Sequence, residues 1–138
     1  MSPLARMETR TEGGAIVAVI AGEVDISNAA DLGSALEGSV PQRALGLVLD
    51  LSAATYIDSA GIHLLFRLGG RLTRRRQQLR VVVPDEAPIR KIINLAGLGW
   101  TVPHDKSVPE ALTRLRAEVT PQLGEEAWVS APDAPHYY

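Results

Sequence analysis

Apolar positions in this chain follow two periods in turn, and the switches between them fall at glycine, proline or short polar turns. Residues 4–11 alternate weakly and run into Glu12, Gly13 and Gly14, which predicts an edge strand and a tight turn. Residues 15–20, AIVAVI, are unbroken apolar and rich in β-branched side chains, as suits a strand buried on both faces. The segment GEVD at 22–25 closes that strand. Ser27 or Asn28 can cap the helix after it, whose inward face reads Ala29, Leu32, Ala35 and Leu36. Pro41 breaks the chain before a second buried strand at 45–51, which enters a short loop ending at Asp58, Ser59, Ala60 and Gly61. The next helix carries Ile62, Leu65, Phe66, Gly69 and Leu72 at the spacing of one helical face. A third strand follows at 79–83, apolar apart from Arg80. Pro88 opens a further helix with Ile89, Ile92, Ile93 and Ala96 inward, and Gly97 with Leu98 forms its stop. A short strand at 100–103 precedes a last helix over 108–119, with Ser107 as cap and Val108, Leu112, Leu115 and Val119 on one side.

Strands that alternate with helices predict an α/β fold: a mixed β-sheet of about four to five strands packed by about four helices. At 138 residues the chain has room for one domain, placed at 1–120, with 121–138 as a poorly ordered tail containing three of the nine prolines. Hydrophobic residues make up 46% and charged residues 22%, which is globular rather than disordered usage. A net charge of -2 gives no electrostatic reason to bind nucleic acid or a membrane. Without cysteine there is no thiol catalysis, disulfide or cysteine-ligated metal. The start lacks the apolar core of a signal peptide and no run approaches a membrane span, so a soluble cytoplasmic domain is expected. No metal or cofactor ligand set stands out.

The candidate chemistry gathers where strand meets helix at 58–61. A serine there is within reach of another protein, and the helix end beneath it responds to added negative charge. Ser59 has a structural alternative, since its hydroxyl can cap the helix; Asp58 competes for that role, and Ile62 stands where a capping box would need an acid. Asp25 and Glu23 end a strand whose loop should adjoin the Ser59 loop, because both lie at strand carboxyl ends. Asp50 and Ser52 are expected to bond to their own loop. His63, one helical turn beyond Ser59, has no third group to orient it, so hydrolytic chemistry is disfavoured. Arg71, Arg74, Arg75, Arg76 and Arg80 form the one basic run, expected to be a solvated helix end.

Four pieces in order, GEVD at 22–25, LDLS at 49–52, IDSAGI at 57–62 and LAGL at 95–98, resemble the STAS domain and, within it, the bacterial anti-sigma factor antagonists. The likeness runs from about residue 4 to 119. It implies that Ser59 is phosphorylated by an anti-sigma factor that is itself a serine kinase of the histidine-kinase-like ATPase fold. It further implies that the unmodified antagonist binds this kinase, and that a metal-dependent serine phosphatase restores the serine. The partner surface is then expected at 58–62 (Asp58, Ala60, Gly61, Ile62), in the 25–28 loop (Asp25, Ser27, Asn28) and at Pro88, with no catalytic residue of its own. Another reading keeps the fold and makes the chain a STAS subunit of a transporter complex, docking without phosphate exchange. The sequence departs from the family pattern at Ala60, where many relatives carry a second serine, and at Gly69 and Gly70 inside the helix, where close packing or a kink is expected.

Overall fold

The computed structural model describes residues 5–95 and 104–117. The elements run β1 (Ala5–Glu12), β2 (Ala15–Val24), α1 (Ala29–Gly38), β3 (Gly46–Asp50), β4 (Ala54–Ile57), α2 (Ser59–Arg74), β5 (Gln78–Val82), α3 (Arg90–Leu95), β6 (His104–Asp105) and α4 (Val108–Ala117). The strand expected at 100–103, the Gly97 stop, the last two residues of the 108–119 helix and the tail at 121–138 lie outside the described residues.

β1 and β2 form an antiparallel hairpin closed by Gly13 and Gly14, with φ of 59° and 84°. Two consecutive positive-φ residues make the tight turn whose twist matches that of paired strands, and glycine adopts it without steric cost. The remaining pairs are parallel, in the order β1-β2-β3-β5-β6. The sixth strand is β4, in the stretch expected to be loop. β3 pairs with Ile16 to Val19 of β2, then leaves, and β4 takes up the same edge of β2 at Gly22 to Val24. The β2–β4 register slips between Gly22 and Glu23, leaving Thr55 without an opposite residue. Such a bulge re-aims the chain beyond it, here toward Ser59.

Continuous apolar strands follow from a sheet covered on both faces. Ile16, Ala18, Ile20, Leu47, Leu49, Leu79 and Val81 face one core with Leu32, Leu36, Leu65, Leu72 and Ile93 of α1, α2 and α3. The alternate residues Ala15, Val17, Val48 and Val82 meet Ala111, Leu112 and Leu115 of α4 on the other side.

Some expectations are corrected. Ala35 faces solvent, because the buried stripe of α1 runs through Ala29, Leu32 and Leu36. The helix expected at Pro88 begins at Arg90; Pro88 and Ile89 are spent in a turn in which the Arg90 N–H reaches the Ala87 carbonyl (3.0 Å). The arginine run is not simply a solvated helix end. Arg71 pairs with Glu37 of α1 (2.6 Å), and Arg75 donates to the Val40 carbonyl (2.7 Å). Arg80 is buried on β5 and makes two bonds to the Asp105 carboxylate (2.8 and 3.0 Å). α2 runs unbroken through Gly69 and Gly70, both buried.

Candidate functional site

Because β2, β3, β4 and β5 run parallel, the loops after them open at one sheet edge. Two of these loops use one device. The Asp25 carboxylate accepts from both the N–H and the hydroxyl of Ser27, and Asp50 does the same for Ser52. A short carboxylate that captures the N–H two residues ahead folds the chain into a turn. Asn28 completes the first loop from inside. Only 1% exposed, it accepts from the Asp25 N–H (3.0 Å) and donates to the Glu23 carbonyl (2.8 Å). With that amide committed, neither Ser27 nor Asn28 caps α1 through its side chain; the Asp25 carbonyl takes the Ala29 N–H instead (2.8 Å).

Asp58 caps α2. One carboxylate oxygen accepts from the Gly61 N–H and the other from the Ile26 N–H, each at 3.1 Å. A single side chain thus joins the start of α2 to the β2–α1 turn, and the expected adjacency of the two loops is a bonded one. The helix settles onto the sheet end because residue 61 is glycine: a Cβ there would lie 2.5 Å from Cγ1 of Ile57 and 3.0 Å from Cγ1 of Val24. Ser59 is left as the first helical residue, exposed, and its hydroxyl has no hydrogen-bond partner among the described residues. Of the two readings open in the local sequence, the cap belongs to Asp58. No hydrogen bond joins Ser59 to His63.

Beside Ser59 the two helices leave a groove of about 490 Å³. Small residues of α1, Ala29, Ala30, Gly33 and Ser34, form one wall; Ala60, His63, Leu64 and Arg67 of α2 form the other. The helices touch at the floor, where a Cβ on Gly33 would lie 2.7 Å from Leu64. Ile26 stands at the mouth with 83% of its surface exposed.

Asp25, Ser27, Asp58 and Ala60 gather at the surface around Ser59. Asn28 and Gly61 are buried, so they build the loops rather than face outward. Ile62 is half-buried against the core. Pro88 is exposed beyond β5, with β3 between that strand and β2, and is not part of the groove. Ile26 belongs to the expected 25–28 loop but not to its expected contact residues; the sequence signal for it is a lone large apolar residue in a polar turn. Among the described residues no cluster of His, Asp and Glu could hold a metal ion, and no helix is long and apolar enough to cross a membrane.

Comparison with known proteins adds the family. No curated protein sequence matches the chain. Its structure is similar to that of an anti-sigma factor antagonist from Mycobacterium paratuberculosis, with 29% identity and a TM-score of 0.72 over 83% of this chain and 97% of that one. SpoIIAA in its unphosphorylated form shares the fold at 18% identity and a TM-score of 0.59, covering 81% of this chain and 97% of its own. The phosphorylated form of the Bacillus cell fate determinant SpoIIAA does so at 16% and 0.51, covering 80% and 100%. The STAS domain model matches residues 6–111, from β1 into α4 and across both loops that Asp58 joins, and the chain therefore belongs to the STAS domain family.

Proposed function

We propose that this protein is an anti-sigma factor antagonist of the cytoplasm. While Ser59 is unmodified it binds an anti-sigma serine kinase of the histidine-kinase-like ATPase fold, and it is released when that kinase phosphorylates Ser59. A metal-dependent serine phosphatase resets it. The protein is then a binding module and a substrate, not a catalyst. The observation that carries this reading is the exposed Ser59 hydroxyl, left without a structural duty because Asp58 makes the cap.

The energetics favour a switch at the interface. Phosphate adds roughly -1.5 to -2 charges to the first turn of α2. Within the free protein, solvent and the adjacent helix N-terminus accommodate that charge. In a complex the same dianion, beside the Asp58 carboxylate, must be desolvated against a surface shaped for a bare hydroxyl. A penalty of about 3 kcal/mol weakens binding more than a hundredfold.

Mass spectrometry and calorimetry with kinases encoded beside the gene test this. Ser59→Ala should keep the complex and abolish phosphate incorporation, whereas Ser59→Asp should weaken binding by about tenfold or more. Incorporation that persists in Ser59→Ala moves the site elsewhere. Co-purification with a membrane transporter in place of a soluble kinase overturns the reading.

A further inference from the structure

We infer that the α1–α2 groove beside Ser59 is a second docking surface on this protein, occupied by an acidic segment of the partner kinase that also carries a bulky apolar side chain. The inference rests on the proposed function for the identity of the partner, and extends it from one hydroxyl to a surface along α2.

Two independent features point to that chemistry. The first is charge. Ser59, His63, Arg67 and Arg71 succeed one another at four-residue intervals, so they lie along one side of α2, and all line the groove. Arg71 is neutralised by Glu37 from the opposite wall, which closes the far end. Arg67 is exposed and has no ion-pair partner among the described residues. A cation held over an open groove complements a carboxylate supplied from outside.

The second feature is shape. The α1 wall is opened by small side chains, and Leu64 and Leu68 lie beneath it, 8% and 3% exposed. At the mouth stands Ile26, whose backbone is fixed on both sides: its own N–H is held by Asp58, and the carboxylate of Asp25 before it accepts from the N–H of Ser27 after it. A large apolar side chain displayed on a pre-ordered turn loses little freedom on binding, the usual property of an interface anchor. The groove thus presents an apolar floor and anchor with one open positive charge, and a partner segment must supply the inverse.

The test compares four proteins with the cognate kinase: wild type, Arg67→Glu, Ala30→Trp and Ser59→Asp. Ala30 is exposed on α1, so the tryptophan fills the groove without entering the core. Calorimetry across a salt series should show wild-type affinity falling with ionic strength, and Arg67→Glu binding about tenfold or more weaker at low salt and recovering part of that loss as salt rises. Ala30→Trp should weaken binding at every salt concentration. In both, phosphorylation of Ser59 should show a raised KM with kcat unchanged, since neither touches the hydroxyl. Wild-type affinity in both Arg67→Glu and Ala30→Trp overturns the groove as a docking surface, even if Ser59→Asp still releases the kinase. Groove variants that fail to bind while Ser59→Asp binds normally keep the groove and overturn the phosphoswitch. A concentration-dependent dimer in sedimentation that Ala30→Trp abolishes makes the occupant a second copy of this chain and overturns the inference. Absence of any wild-type complex with the kinase overturns both.

Discussion

Two glycine-to-alanine substitutions in this protein should move stability in opposite directions, although both lie in helices. Gly61 is the third residue of α2 and is buried, with Ile57 and Val24 each 2% exposed beneath it. An added Cβ would lie 2.5 Å from Cγ1 of Ile57, and Cγ1 is held near its own backbone, so it cannot swing aside as a chain tip could. Overpacking of this kind costs about 1–3 kcal/mol, and alanine's advantage over glycine in a helix returns at most about 1 kcal/mol. Even with the full return the balance is a loss of up to about 2 kcal/mol, or as much as roughly 8 °C in melting temperature. Gly38, the last residue of α1, is exposed and a Cβ there meets nothing within 4 Å. Its replacement by alanine should add about 0.5 kcal/mol by restricting the unfolded chain. Urea unfolding followed by circular dichroism reads both, provided the slope with denaturant is unchanged. A Gly61→Ala midpoint at or above wild type would mean that α2 does not rest on Ile57 and Val24 as described.

Two further outcomes follow from the same geometry. Asp105→Ala removes the fully buried carboxylate that accepts from both the buried Arg80 and Arg114 of α4, and should cost about 3–5 kcal/mol in urea unfolding; a loss under about 1 kcal/mol would show that this charged cluster adds little to the fold. Stoichiometric phosphorylation of Ser59 should leave the unfolding free energy of the isolated protein within about 1 kcal/mol, because helix-end attraction and repulsion from Asp58 are both solvent-screened; a larger change would place the switch in the fold rather than at the interface.

The sequence is most readable where neighbours in the chain are also neighbours in space. The Gly13–Gly14 hairpin, the apolar cores of β2, β3 and β5, and the face of α2 all follow from local pattern. β4 escaped because its four residues are buried only at the two ends, and it is a strand only because β3 vacates an edge of β2. Arg80 reads as an odd residue in an apolar strand, since its partner stands 25 residues away. At the site, Ser59 and Asp58 were identifiable, and so was the competition between them for the cap. What remained hidden was the second bond of Asp58, to a backbone N–H 32 residues upstream, which no periodicity encodes. The same holds for Asn28, whose polar side chain suggests a surface residue and whose bonds all run inward.

That second bond of Asp58 bears on the proposed switch, in which one modified hydroxyl would control a whole surface. Nothing that shapes the site depends on Ser59: the 25–28 turn is closed by Asp25 and Asn28, and the start of α2 by Asp58 and Gly61. The backbone of the turn bearing Ile26 is therefore ordered before any partner arrives, so binding need not fix that loop. In the proposed switch the same rigidity would remove any means of escape once phosphate is added. Ile26 and Ser59 flank one fixed carboxylate, so a partner cannot keep the apolar anchor while moving away from the charge. A flexible loop would let a partner trade one contact for the other and blunt the response. A tied one would make anchor and phosphate a single decision in the proposed switch, so that a few kcal/mol of desolvation at Ser59 would also cancel a contact at Ile26.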